Sequence, residues 1–454
     1  MTHTDLIAKY NVPAPRYTSY PTVPFWNEQV IDSSTWMNIT KRSFDESNVE
    51  KGISLYMHLP FCESLCTYCG CNTRITKNHK VEDGYIEAVL KEWNIYLAHW
   101  GEKPVIRELH LGGGTPTFFS PENLQILLNG IFKHAVIHPE HEFSFEGHPN
   151  NTTEAHLQVL YDCGFRRVSY GIQDLDLKVQ IAIHRMQPFK NVKIATDQAR
   201  AIGYTSVNFD LIYGLPFQTL ESIGNTIDKV GELMPERIAF YSYAHVPWLK
   251  PGQRGYSEKD LPDNEDKRKL YELGREKLLA LGYKDIGMDH FALPHDSLYL
   301  AAQQGNLHRN FMGYTVCNTD LLLGLGTSAI SDAKYGYMQN AKVVEHYKEQ
   351  VLTEKLAIFK SHDMSEEDLL IKKYILDLLC KGQFSMDDEI VSSLSREAIA
   401  QYMDMEDEGL IVLKNKMLLV TEKGKAFIRN IAMVLDKRLR ETKKTAENLF
   451  SKAI

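Results

Sequence analysis

Residues 53–71 read ISLYMHLPFCESLCTYCGC. The first seven alternate in the two-residue rhythm of a strand, and Pro60 stops that pattern. Four cysteines then follow within ten residues: Cys62, Cys66, Cys69 and Cys71. The chain has only seven cysteines in 454 residues, so more than half of its thiols sit in one loop at the end of one strand.

The rhythm continues outward from that loop. VEDGYIEAVLKEWNIYLAHW (81–100) has apolar residues at helical spacing, and VIRELHLGGG (105–114) reads as a second strand. SPENLQILLNGIFKHA predicts a helix with Ser120 as N-cap and Pro121 in the first turn. EFSFEG, RRVSYGIQ, SVNFDLIYGLP and RIAFYSYAHV read as four more strands. Helical patterns separate them, two of which close on Gly164 and Gly203. Six strands alternating with helices predict an α/β fold with a parallel sheet and right-handed crossovers. A partial (β/α)6 barrel and a flat doubly wound sheet both satisfy that pattern. Either one gathers functional groups at the carboxyl ends of the strands.

Around this core (51–250) the chain divides by composition. Residues 1–50, with the proline- and aromatic-rich NVPAPRYTSYPTVPFW, predict an irregular arm, packed down as a lid and not a free tail. Residues 251–350 look mixed, an extension of the barrel on the substrate side. Residues 351–454 turn helical, and DEGLIVLKNKMLLVTEKGKAFIRNIAMVL has the helix–hairpin–helix order of a winged helix. The net charge of −8 argues against a nucleic-acid or anionic-lipid surface. No apolar run is long enough for a membrane span, and MTHTDLIAKY lacks a signal-peptide pattern, so a cytoplasmic location is expected. Thiols stay reduced there, which turns the cysteine cluster toward metal or redox chemistry.

The spacing C-x3-C-x2-C-x-C does not supply the two separated pairs of a common zinc site, because Cys163, Cys317 and Cys380 stand alone. A [4Fe–4S] cluster fits better, and three thiolates would leave one iron open. Spacing does not decide which three. Cys69 and Cys71, two apart, point to opposite faces of an extended chain and are the hardest pair to place on one cube. GGGTPT (112–117) ends the second strand, where three glycines would let a ligand approach the backbone. Polar residues end the later strands: Glu146, then Gln173 and Asp174 with His184 and Arg185 beyond them, then Asp210, then Tyr241, Tyr243, Ala244 and His245. Such a rim suits a polar, charged ligand, with carboxylates for a ribose and Arg185 for a carboxylate.

The three-cysteine spacing followed by a GGGTP turn resembles the radical S-adenosylmethionine superfamily. PRYTSYPT (15–22), CTYCGCN (66–72), GGGTPT, NFDLIYGLP (208–216) and FMGYT (311–315) together are similar to the oxygen-independent coproporphyrinogen III oxidase (coproporphyrinogen dehydrogenase) family. The resemblance implies that Cys62, Cys66 and Cys69 hold a [4Fe–4S] cluster and that Cys71 stays free. It implies that Tyr56, Tyr68, Gly113, Glu146 and Ile330 contact the cluster-bound S-adenosylmethionine, Tyr56 being the candidate catalytic residue. Gly114, Thr115, Gln173, Arg185, Asp210 and Ala244 would line a second S-adenosylmethionine site. The implied reaction turns two propionates of coproporphyrinogen III into vinyl groups and gives protoporphyrinogen IX. It needs an external electron donor, and a monomer is expected. The substrate's four propionates call for cations, and Arg16, Arg254, His308 and Arg309 lie in stretches that could reach the barrel mouth. One departure stands out: the family's usual glutamine after the first phenylalanine of FMGYT is Met312 here. Three other readings share these motifs: a radical haem chaperone, an enzyme modifying another tetrapyrrole, and a non-catalytic iron–sulfur or DNA-binding regulator. The PRYTSYPT arm favours the oxidase over the chaperone, and the acidic total disfavours the regulator.

Overall fold

The computed structural model describes residues 3–27, 29–441 and 450. Its centre is a run of six parallel strands: β1 (Ile53–Leu59), β2 (Val105–Gly113), β3 (Val136–Gly147), β4 (Arg167–Gln173), β5 (Ser206–Tyr213) and β6 (Arg237–Ser242). They lie side by side in chain order, as the alternating pattern predicts. β1 is buried along nearly its whole length, as expected of a parallel strand covered on both faces. Helices Val81–Trp100, Pro121–Phe132, Glu154–Asp162, Phe189–Ile202 and Leu220–Leu233 make the crossovers. Their starts are written in the sequence: the side chains of Ser120, Thr153 and Thr219 cap the first turns of three of them.

The sheet does not close. Beyond β6 it continues through the antiparallel strands β8 (His290–Ala292) and β7 (Lys284–Gly287). Beyond β1 it continues through β9 (Leu321–Leu325), which is parallel to β1, and then β10 (Ile330–Ala333), β11 (Gly336–Asn340) and β12 (Ile358–Asp363). The twelve-stranded result is an open, curved sheet with β1 near its middle. The stretch that looks mixed in sequence therefore supplies every added strand except β12, which belongs to the segment after it. Its strands are only three to five residues long, too short for alternation to show.

The arm departs from the expectation of an irregular segment. Residues His3–Tyr10 and Ser33–Ser47 are helices. Asp32 caps the second by accepting from the Thr35 amide. Its sequence, SSTWMNITKRSFDES, is rich in poor helix formers, which hides the helix. Tertiary burial makes up for that weakness. Trp36 and Phe44 are buried, and Phe44 stacks on Trp100 with ring centroids 4.6 Å apart.

The remainder of the arm bridges two bodies. Leu6, Tyr10, Tyr17 and Tyr20 belong to a second core built with Ile371, Leu378, Tyr402 and Phe427. Tyr17 donates to Asp436 (3.0 Å) and Tyr10 to Glu408 (2.6 Å). Trp26 instead stacks on Tyr337 of β11, 5.2 Å away, and meets the edge of Phe311. The second core also carries a three-stranded sheet whose hairpin Ile411–Lys414/Met417–Val420 turns at Asn415 and Lys416, both with positive φ.

Candidate active site

The cysteine loop leaves β1 at the carboxyl ends of the parallel strands and is held from three sides. Phe61–Cys62 pairs with Arg74–Ile75. The Gly114 amide donates to the Leu59 carbonyl (2.8 Å) and the Thr115 amide to Phe61 (3.0 Å), which ties the glycine turn to the loop. From β4's far side, the Thr67 amide donates to Ile183 (3.0 Å) and the His184 ring to the Leu65 carbonyl (2.9 Å). From the segment after β6, Lys250 donates to the Cys71 carbonyl (3.2 Å) and Gln253 to the Tyr68 carbonyl (3.0 Å).

Charge around the thiols is uneven. Burial pushes the Cys62 thiol up to about 11, although Thr115 Oγ1 lies 3.4 Å from its sulfur. Cys69 is held down to about 6, chiefly by hydrogen bonding from Cys71, with the Lys250 and Arg185 charges adding. Arg185 points a guanidinium nitrogen at Cys66 Sγ (3.6 Å) while donating to the Gly171 carbonyl (2.6 Å). Two cations beside Cys69 are the setting in which a thiolate persists.

The glycine turn has a packing job that its sequence does not show. A Cβ on Gly113, which has φ +111°, would meet the His58 ring at 2.6 Å. One on Gly114 would meet the Pro60 carbonyl carbon at 2.6 Å. The missing side chains let the turn pack against β1 and the start of the cysteine loop. Gly113 and Gly114 also line the larger cavity described below.

Alternation along the strands sends a second set of polar groups into the barrel. Tyr56, His110, Glu146, Ser169, Asp210 and Tyr241 come from six successive strands. His58 donates from Nε2 to the Asn72 carbonyl (2.9 Å), which leaves Nδ1 to accept from the Tyr56 hydroxyl (3.0 Å). Burial lowers the His58 pKa, so the ring stays neutral. Burial likewise raises the Tyr56 hydroxyl far above its ordinary value, so Tyr56 is a neutral donor. Glu146 is the opposite case. Burial pushes its carboxyl up, but His110 (3.5 Å) and the Gly113 amide (3.1 Å) outweigh that and hold it below the usual range. Asp210, held by Ser169 (3.1 Å) and Asn208 (2.9 Å), is nevertheless pushed up to about 6 by burial and by the Glu146 charge. Two residues here have left-handed backbones, Gln173 (φ 65°) and His184 (φ 53°), a conformation that concentrates at functional sites.

These groups line two adjoining cavities that share Gly70 and Glu146. The larger, about 500 Å³, takes Cys62, Cys66, Cys69, Tyr68, Gly113, Gly114, Thr115, Gln173, Arg185 and Asp210. The other, about 440 Å³, takes Tyr56, His58, His110, Ile330, Phe311 and Met312. The expected site residues thus come together on one rim, with corrections. Tyr68 and Gly113 of the first S-adenosylmethionine set lie in the larger cavity beside Gly114, Thr115, Gln173, Arg185 and Asp210 of the second, while Tyr56 and Ile330 lie in the other. Ala244 is exposed and lines neither cavity; it reaches the site only through Gln253, which bridges its carbonyl to that of Tyr68. Arg254 donates to the Pro247 carbonyl, and the half-buried His308 has its pKa pushed down to about 4 by desolvation and Lys372; Arg16, Arg254, His308 and Arg309 all lie outside both cavities. Sequence reasoning missed His58, His110 and Lys250. The two histidines were legible, because each lies two residues from another inward polar position on its strand.

The residues fit an iron–sulfur cluster. Among the described residues no three His, Cys, Asp or Glu side chains are arranged to share a single metal ion. All four thiols of the loop, Cys71 included, instead wall a cavity with room for a polyatomic group.

Comparison with known proteins agrees with this geometry. Residues 56–230 match the model of the radical SAM superfamily. The oxygen-independent coproporphyrinogen III oxidase of Synechocystis sp. is 36% identical over 99% of this chain and 97% of its own length. The chain belongs to the oxygen-independent coproporphyrinogen III oxidase family. Another member, from Helicobacter pylori, is also 36% identical, over 99% of both chains. The solved structure of the coproporphyrinogen III oxidase of Escherichia coli, described as a radical SAM enzyme, superposes with a TM-score of 0.88 at 32% identity. That match covers 96% of this chain and 99% of the other. That superposition runs beyond residues 56–230, so the resemblance is to the whole molecule and not to the barrel alone.

Proposed function

We infer that this chain is an oxidoreductase of porphyrin biosynthesis that converts two propionate side chains of coproporphyrinogen III to vinyl groups without oxygen, giving protoporphyrinogen IX. Each conversion removes a β-hydrogen, CO2 and one further electron. The observation that carries the reading is the three-thiol loop at the end of β1, set against the glycine turn and Glu146, in a chain alike end to end to named oxidases. When bound, a [4Fe–4S] cluster with S-adenosylmethionine supplies the 5′-deoxyadenosyl radical for that hydrogen abstraction.

Cys62, Cys66 and Cys69 hold the cluster, and Cys71 remains a free thiol. Glu146, kept ionised by His110 and the Gly113 amide, faces the cationic cofactor. Tyr56, fixed by His58, presents a neutral hydroxyl to it, and Ile330 and Tyr68 pack beside it. Arg185 offers a guanidinium to a carboxylate, while Asp210 and Gln173 are placed for a ribose. Gly114 and Thr115 complete a second cofactor position, to which Ala244 is joined through Gln253. Trp26 and Phe311 shut the arm against the cleft, which keeps water from a radical centre. The enzyme works as a monomer in the cytoplasm with an external one-electron donor; no helix among the described residues is long and apolar enough to cross a membrane.

The test is an anaerobic turnover of reconstituted enzyme with dithionite, S-adenosylmethionine and coproporphyrinogen III, following 5′-deoxyadenosine and porphyrins by chromatography. Vinyl product with 5′-deoxyadenosine is expected. 5′-Deoxyadenosine with no decarboxylated porphyrin would keep the radical chemistry and reject this substrate, with Met312 the first residue to examine.

A further inference from the structure

Arg309 is the anomaly of the molecule. It lies in the hairpin His308–Asn310/Gly313–Thr315, opposite Tyr314, and is only 5% exposed. One terminal nitrogen donates to the Arg16 carbonyl (3.3 Å), and the guanidinium carbon sits 4.8 Å from the centre of the Tyr314 ring. Its Nε and Nη1 find no partner among the described residues. A buried guanidinium with two idle donors is costly unless an acceptor arrives.

Its surroundings make the deficit worse. Arg16 lies beside it, pairing with Asp289 (3.1 Å) and covering the Tyr241 ring at 5.6 Å. Arg429 donates to the Ala14 carbonyl, and burial together with the Arg16 charge pushes its pKa down to about 10. His290, the other titratable ring here, is kept neutral by burial and by the Arg309 charge. Asp289 is the one carboxylate that the described contacts place among three guanidiniums. None of the three arginines lines either cavity, but the cluster lies directly behind their walls: Tyr241 walls the larger cavity, and Phe311 and Met312, at the tip of Arg309's own hairpin, wall the other.

We propose that Arg309, flanked by Arg16 and Arg429, is a carboxylate-binding site that takes one of the propionates the substrate keeps, anchoring the macrocycle so that a different propionate faces the cleft. The arm covers this site through the Arg16 carbonyl, so binding draws on the arm as well. The proposal rests on the coproporphyrinogen reading. It adds a positioning role for Arg309, whose planar fork matches a carboxylate in a way a solvated surface arginine does not.

The experiment is a titration of full-length, reconstituted protein with coproporphyrin III, the stable oxidised macrocycle, and with its tetramethyl ester, followed by absorbance. The wild type, Arg309→Gln, Arg309→Lys and the arm variant Arg16→Gln are compared, with S-adenosylmethionine binding as the check on folding. Arg309→Gln is expected to weaken coproporphyrin III binding at least about tenfold, Lys to restore part of it, and the ester to bind weakly and equally to all. Arg16→Gln, at a less buried position, should shift the acid in the same direction. Equal affinity of wild type and Arg309→Gln for the acid would overturn the proposal. So would an equal loss for acid and ester, which would mean a role in packing. Should Arg309→Gln fail to bind S-adenosylmethionine, the Arg16→Gln result decides in the same terms. A wild type that cleaves S-adenosylmethionine but does not bind coproporphyrin III would sink the substrate reading itself, and this proposal with it.

Discussion

Cys71 is two residues from Cys69 and its backbone amide lies 3.4 Å from the Cys69 sulfur, so it acts on a neighbour's thiol. Cys62→Ala, Cys66→Ala and Cys69→Ala are each expected to lose the cluster, while Cys71→Ala retains it. Iron and sulfide counts on the four purified variants check this, and loss of iron in Cys71→Ala would refute the ligand assignment. Gly114 is the second critical position. An alanine there would push against the Pro60 backbone at 2.6 Å, where no flexible side chain can yield. Gly114→Ala should therefore destabilise the apo protein by about 1–3 kcal/mol and lower its iron content, read by urea melts and metal analysis. At this scale the sequence was a good guide to which residues matter and a poorer one to why. The cysteines, Glu146 and Arg185 were visible as reactive types at strand ends. The packing role of the glycines was not, because it depends on which backbone passes behind them.

The six central strands and their crossover helices were legible because each carries its own periodicity, cap or closing glycine. The arm helix Ser33–Ser47 was not, since its stability comes from Trp36 and Phe44 meeting residues far away in the chain. The junction between β12 and the helix Glu366–Lys381 shows the same dependence on context. Asp368 caps that helix with Ser365 and also takes His362 (3.2 Å) and a bidentate Arg438 (2.9 Å). Burial would raise its carboxyl, but these donors hold it down to about 2 against an ordinary 3.8. A depressed carboxylate adds stability that is present above pH 3.8 and lost as pH falls toward 2. Asp368→Asn should cost about 1–3 kcal/mol at pH 7, and its stability should fall less steeply between pH 4 and 2. Urea denaturation of the apo protein across that range measures both, and parallel pH curves for variant and wild type would dismiss the idea.

At the scale of the whole molecule, the arm joins the C-terminal core to the mouth of the sheet. Deleting residues 1–30 should leave the cluster in place yet raise the ratio of 5′-deoxyadenosine to vinyl product, because Trp26 no longer covers Phe311. It should also loosen the C-terminal region, which loses Leu6, Tyr10, Tyr17 and Tyr20 from its interior. Coupled turnover at the normal ratio would reject the lid. None of this division of labour could be read from the arm's prolines and aromatics, which announce packing without naming the surface. The same arrangement fixes an order of events during synthesis. The docking surface for residues 6–20 is made from residues 371–436, whereas the strands around the cysteine loop are complete by residue 363. The two ends of the arm therefore depend on different parts of the chain: Trp26 finds Phe311 and Tyr337 before residue 363, whereas Leu6, Tyr10, Tyr17 and Tyr20 have no surface to settle on until the second core has folded.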